Sequence, residues 1–358
     1  MHIVISLFAI IICFLCVVGI HEWGHALAAT YFGVKIKRIT LGFGKPLRSW
    51  PQRAGYTLDV CLWPLGGCVH LFNTRVAPVA PHDYPYCFDK KSIGVRTIIL
   101  LSGAIANIIT AGGALLLMLM IGYKQLPPIV ASVTVLSHAA AAGLKAGDRI
   151  THVANHATPF WRDVSMQLIM HLGEQNVAIA VCSSQNDCRT TTLDLKLWHK
   201  QEESFELFSA IGITPDISDQ HVIHVRGLSF FKACIAACSQ LLGLVCFFIV
   251  MIKQILTSQI PFAALIGPFK LFQAIIDSFS QGLAIFLYFI ANFSLAMALI
   301  NLLPIPGLDG GSILYGLIEK IRGKPLSIAL EVLIHQLLFI VFALVMFQLV
   351  MNDLHHYM

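Results

Sequence analysis

The hydrophobic pattern of this chain has two periods. Residues 1–27, 96–123, 283–303 and 332–351 are nearly continuous apolar runs, each about the 20 residues that a bilayer-crossing helix needs. A fifth run, 230–252, has the same hydropathy. Between the first two runs the period shortens. Tyr56, Leu58, Val60 and Leu62 alternate with Thr57, Asp59 and Cys61, the pattern of a half-buried strand. "VKIKRITLGFG" (34–44) predicts its partner, with "GFGKP" and "WPQRAG" supplying turns. From Pro127 to about Thr214 an alanine run, glycines and short alternating stretches predict a compact module. The pattern predicts an α-helical multispanning membrane protein with about four transmembrane helices, a small membrane-associated β-sheet and one external α+β domain.

The boundaries follow. The first helix takes 1–32, the sheet 33–76, a proline-rich loop 77–95, the second helix 96–123 and the module 127–214. A surface-lying helix takes 228–256, connecting helices 257–281, the third transmembrane helix 283–311 and the fourth 326–352. The first run has no basic leader and no small-residue cleavage site, so it is expected to remain a span rather than a removable signal peptide. In the second, Ser102, Gly103, Ala106 and Asn107 are small or amide residues suited to close helix contact.

Composition agrees: 12% of residues are charged, about half the share of a soluble domain. Position matters more than the net charge of +5. Lys35, Lys37, Arg38, Lys45, Arg48 and Arg53 crowd one short loop, and Lys320, Arg322 and Lys324 another. Short basic loops stay in the cytoplasm, so the N-terminus and the 127–214 module are expected outside a bacterial inner membrane. That rule also accounts for the basic loop without nucleic acid. Parity bears on 230–252: a lone crossing there would export the 320–324 loop, whereas a surface-lying helix, a re-entrant helix or a pair of crossings with 260–281 would not, and of these a surface-lying helix is expected. Cys182 and Cys188 flank "SSQND", a turn-like segment of the external module, and are candidates for a disulfide in an oxidising compartment.

The first apolar run carries His21, Glu22 and His25 in "GIHEWGHALAA". Charged groups in a bilayer cost about 2.5–3.5 kcal/mol on insertion scales, so their presence needs an offset. Histidines four apart share one helix face and can bind one zinc ion, while the adjacent glutamate can take a proton from water. A catalytic zinc wants a third protein ligand and an open position. Asp309, in "NLLPIPGLDGG" (301–311), is the candidate, beside Asn301 and a stretch that Pro304 and Pro306 keep from being helical. Both motifs fall at the cytoplasmic ends of inward-running helices, so they can meet.

"GIHEWGHALAATYFGVKIKRITLGFGKPL" and "NLLPIPGLDGG" resemble the two signature regions of the site-2 protease family, and "SHAAAAGLKAGDRITHV" resembles the core of a PDZ domain. The closer likeness is to the bacterial branch with an external PDZ module, which cleaves anti-sigma factors in the membrane. The resemblance implies zinc bound by His21, His25 and Asp309, with Glu22 as general base. It implies that Asn301, Pro304 and Pro306 hold the substrate chain, and that Gly42, Phe43 and Gly44 belong to a sheet that pairs with unwound substrate. The implied partners are transmembrane proteins or peptides and membrane lipid, with no nucleic acid, and the chain is read as acting as a monomer. The chain departs from the pattern in having length for one PDZ domain, in Ser312 where His is common and in Gly307 where a branched residue is usual. The alternative is a catalytically silent zinc-binding scaffold that recruits partners through its PDZ-like domain. Glu22 argues against it, since a structural site needs no base. A transporter would spread polar groups over more spans, and a loop peptidase would place its zinc motif outside an apolar helix.

Overall fold

The computed structural model describes residues 2–52, 55–183, 187–196, 207–218 and 221–355. Helix α1 (His2–Phe14) passes through a π-helical turn, Leu15–Gly19, into α2 (Ile20–Tyr31). Strands β1 (Ile36–Pro51) and β2 (Thr57–Leu71) follow, then two short 3₁₀ turns and α3 (Ile93–Ile121). Next come β3 (Gly122–Gln125), β4 (Val130–Val133), α4 (His138–Ala141), β5 (Arg149–Val153), β6 (His156–Ala157) and α5 (Trp161–Met170). The module continues with β7 (Val177–Cys182), β8 (Cys188–Leu193), α6 (Leu207–Ile211), β9 (Ile213–Pro215) and β10 (Ile223–Arg226). The last five helices are α7 (Phe230–Leu256), α8 (Pro268–Ser280), α9 (Leu283–Asn301), α10 (Asp309–Arg322) and α11 (Ile328–His355).

Among the described residues five helical stretches are long and apolar enough to cross a membrane, against about four expected: α1 continued into α2, α3, α7, α9 and α11, of which α7 is the additional one. The third expected span also differs. It was expected to run to residue 311, but α9 stops at Asn301 and Asp309 opens a separate helix. Pro304 and Pro306 lack the N–H groups that a continuing helix would use.

The chain divides into two compact units. The first comprises Met1–Met118, Cys234–Leu241 and Phe269–Phe347. In it, β1 and β2 are each bent, so the sheet has four paired segments. Residues 36–41 lie between 67–71 and 57–60, because Arg38 faces His70 on one side and Thr57 on the other; 57–61 pairs in turn with 46–51. Segments 67–71 and 46–51 are therefore its edges. Aromatic pairs Phe8–Phe279 and Phe14–Phe272, with ring centres 6.1 and 6.2 Å apart, join α8 to α1. At the polar ends, Arg75 pairs with Glu331 at 2.7 Å and Arg96 with Glu319 at 2.8 Å.

The second unit comprises Leu119–Ala233, Leu242–Pro268 and Gln348–Met358. Its core packs α5 (Val164, Leu168) on a four-stranded sheet of order β6-β5-β7-β8, with Ile150, Ile179 and Val181 buried between them. Every second residue of β7 is buried, as a strand with one face on a core requires. The loop ahead of β5 turns through Gly143 (φ +73°) and Gly147 (φ +85°). It is locked by buried Asp148, whose carboxylate accepts from Lys145 N–H at 2.8 Å and pairs with Arg189 at 2.6 Å. Cys182 and Cys188 face each other across the β7–β8 hairpin and are disulfide-bonded. Strands β3 and β10 pair at the entry and exit of the module. Near the end of α7, Gln254 Nε2 donates to the carbonyls of Met170 and Leu172 at 3.3 and 3.0 Å.

Candidate metal centre

His21, Glu22 and His25 occupy the first two turns of α2, directly after the π-helical turn. A π turn re-phases the helix that follows it, and such turns cluster at functional sites. All three side chains are buried, at 4%, 8% and 9% exposure. That is tolerable for ionisable groups only when they have partners.

Each histidine turns Nδ1 toward α3 and Nε2 toward the other ring and Asp309. His25 Nδ1 lies 2.8 Å from the carbonyl of Ile99, so it donates there, and His21 Nδ1 lies 3.4 Å from the Asn107 side chain. Both partners belong to α3. The two Nε2 atoms are 3.1 Å apart. Asp309 Oδ2 lies 3.3 Å from His21 Nε2 and 3.2 Å from His25 Nε2. It is buried, and its approach to them lacks the alignment of a hydrogen bond.

Three ligand atoms in a triangle of sides 3.1, 3.3 and 3.2 Å fit a metal. Tetrahedral zinc with bonds of about 2.0–2.1 Å sets its ligand atoms about 3.3–3.4 Å apart. No other group of three or more His, Cys, Asp or Glu among the described residues meets this condition. The donor set, two imidazoles and one carboxylate, suits zinc and leaves one position open. Burial pushes the thiol of Cys68 up to about 11, with Glu22 and Asp309 adding to the rise.

Small residues let the pieces approach. A Cβ on Gly24, between the two histidines, would meet the Ser102 carbonyl at 2.7 Å. A Cβ on Gly103 would strike His25 Nε2 and come within 2.8 Å of His21 Cε1, filling the cradle itself. Gly310 and Gly311 do the same service for Asp309. A Cβ on Gly310 would meet the Leu302 carbonyl carbon at 2.6 Å, and one on Gly311 the Pro306 Cα at 2.7 Å. The first turn of α10 thus folds tightly onto 302–306 and turns Asp309 back toward α2.

Glu22 points at the sheet. The N–H of Val69, on the edge segment 67–71, donates to Glu22 Oε2 at 2.9 Å. Gly67 makes room, since a Cβ there would lie 2.9 Å from Glu22 Cγ. The structure thus brings together His21, Glu22, His25 and Asp309. Asn301, at the end of α9, is 8% exposed, and its Nδ2 has no hydrogen-bond partner. Exposed Pro304 and half-buried Pro306 lie on the non-helical link to Asp309. Gly42 and Gly44 bend β1 with φ of +91° and +93°. Phe43, between them, is opposite Trp63, and its side chain lies outside the described residues. Cys182 and Cys188 belong to the module and take no part in the cluster.

Sequence reasoning treated Gly103 and Asn107 as packing residues and did not relate them to the histidines. A signal was present: they are four apart, hence on one face of α3, and Asn107 is an amide in an apolar run.

The model of peptidase family M50 matches residues 9–346. The regulator of sigma-E protease RseP of Salmonella typhimurium is 26% identical, with 90% of this chain and 92% of that protein aligned. The protein of that name in Escherichia coli K12 is 24% identical over 94% of this chain and 95% of its own length. A putative zinc metalloprotease of Rickettsia conorii is 28% identical over 89% of this chain and 90% of its own length.

Proposed function

This chain belongs to peptidase family M50, and on that premise we propose that His21, His25 and Asp309 hold its catalytic zinc and that Glu22 is its general base. The protein is a multispanning zinc metalloprotease that hydrolyses a peptide bond within a transmembrane segment of its substrates. The observation that carries the assignment is the convergence of His21 Nε2, His25 Nε2 and Asp309 Oδ2 within 3.3 Å of one another, beside a buried glutamate. A zinc ion held there supplies Lewis-acid polarisation of the scissile carbonyl and lowers the pKa of water toward about 7.

The chain's own groups do the rest. Glu22, fixed by Val69 N–H, takes a proton from the attacking water and gives it to the leaving amine as the C–N bond breaks. A helical substrate hides its carbonyls in i→i−4 bonds and must unwind first. Segment 67–71 is a sheet edge whose Val69 faces Glu22, so a strand added along it would lie next to the base. Gly42, Phe43 and Gly44 shape the bend of the same sheet. Asn301 Nδ2 is a donor without a partner, suited to a substrate carbonyl, and the Pro304–Pro306 link keeps that approach free of helix. The substrate class we propose, from the site-2 protease resemblance, is single-span regulators such as anti-sigma factors, with signal-peptide remnants as the other candidate.

We read residues 127–214 as one PDZ-like domain outside a bacterial inner membrane, sorting substrates by their external part. We keep four crossings, with α7 lying at the surface. Both ends of α7 are tied beside the module: β10, just ahead of it, pairs with β3 at the module's entry, and Gln254 near its far end bonds to Met170 and Leu172 within the module. A crossing would separate those attachments by about 30 Å of hydrocarbon. Single cysteines at positions 229 and 257, in a background cleared of other accessible cysteines, should both react with an impermeant maleimide from the outside of sealed cells. Reaction from opposite sides would make α7 a span.

The function is tested by cleavage of single-span reporters in membranes by the wild type and by Glu22→Gln, which keeps the ligands and removes the base. The variant should retain zinc and lose about 10²–10⁴-fold in rate. Equal cleavage by both, or none by either despite bound zinc, would favour the silent scaffold.

A further inference from the structure

Of the two histidines, His25 has an evident orienting partner in the Ile99 carbonyl, 2.8 Å from Nδ1. His21 faces only Asn107. Asn107 Nδ2 is 3.4 Å from His21 Nδ1, while Asn107 Oδ1 is buried with no partner and the residue is 0% exposed. A donor facing Nδ1 would require the hydrogen of a neutral imidazole to sit on Nε2. Yet Nε2 is the atom 3.3 Å from Asp309 Oδ2 and 3.1 Å from His25 Nε2, where a lone pair is needed to hold a cation.

One change settles the contact with His21 and leaves Nδ2 in the place that the oxygen held. The two ends of an amide fill nearly the same volume, so a half-turn brings Oδ1 to Nδ1 and gives the orphaned oxygen a donor. We propose that Asn107 is the positioning residue for His21: its Oδ1 accepts the Nδ1–H, fixing the tautomer whose Nε2 lone pair faces Asp309 and His25. The inference rests on the metal-centre reading above. It makes the two ligands symmetric in principle: each donates Nδ1–H to an oxygen on α3, a backbone one for His25 and a side-chain one for His21. Gly103, one turn before Asn107 on the same face, leaves the space in which the two rings meet. Such outer partners raise the basicity of a ligand and restrict its rotation.

The test is zinc affinity of the full-length protein in detergent, by competition with a chromophoric chelator, for the wild type, Asn107→Asp, Asn107→Leu and His21→Ala. Aspartate supplies only acceptors, while leucine matches the amide in shape and supplies none. Asn107→Leu should lose about 10–100-fold in zinc affinity, and Asn107→Asp should stay within about 3-fold of the wild type. A residue needed only for packing would give the reverse order, with leucine the milder change. Wild-type affinity in Asn107→Leu, or an equal loss in both variants, overturns the proposal. If leucine prevents folding, the aspartate variant alone decides, because a role as donor to His21 could not survive it. Undiminished affinity in His21→Ala would instead overturn the metal-centre reading, which separates the two failures.

Discussion

Gly103→Ala is expected to give a folded protein that cannot hold zinc. Alanine is the better helix former by about 0.5–1 kcal/mol, so local propensity alone predicts a neutral or stabilising change in the middle of α3. Packing predicts the opposite for the site. The added methyl would strike His25 Nε2 and lie 2.7 Å from His25 Cε1 and 2.8 Å from His21 Cε1. Neither ring can give way cheaply. His25 is tied to Ile99, His21 faces Asn107, and Gly24 holds their helix against the Ser102 carbonyl. Loss of an orienting partner alone costs about 10–100-fold in metal affinity. Direct displacement of both ligands should exceed that, and cleavage should fall with it. Chelator competition together with thermal unfolding of the zinc-free protein checks this. Wild-type zinc affinity in a normally folded Gly103→Ala would show that the rings do not meet where α3 leaves space for them.

How much of this was legible in the sequence depends on the range of the interaction. Local patterns were readable. "RITHV" is β5, and the alternation falls in β2 from Thr57 to Leu62. His21, Glu22 and His25 could be paired because i, i+4 spacing is a property of the helix itself. Asp309 was reachable because depth in a membrane is a coarse coordinate that hydropathy supplies. What could not be read was which face of α3 meets α2. Helices in lipid pack by shape and polar contact rather than by an apolar stripe, so the hydrophobic pattern of α3 is silent on its orientation. Gly103 and Asn107 were therefore visible as small and polar residues without a target. The nearness of Val69 to Glu22 was hidden for a similar reason, since an edge is defined by strand order and not by strand sequence. The end of α9 shows the opposite case. Two prolines announced a break, but only the packing of Gly310 and Gly311 onto 302–306 turns Asp309 into the first residue of a new helix facing backwards.

In the proposed site this backward-facing carboxylate closes a metal centre with two histidines nearly 300 residues earlier in the chain. Asp309→Ala tests it with little collateral change. Alanine retains the helix start, and the Gly310 and Gly311 contacts do not involve the deleted carboxylate. The substitution leaves two imidazoles and no anion, and a catalytic zinc site takes three protein ligands. Zinc should be lost, and with it all cleavage of a single-span reporter, a deeper loss than Glu22→Gln produces. The decisive measurement is the zinc content of the purified, folded Asp309→Ala protein beside the wild type, by elemental analysis after gel filtration. The wild type should carry about one zinc per chain and the variant almost none. Full occupancy in the variant would contradict this, because the histidines would then be holding their metal with some other partner.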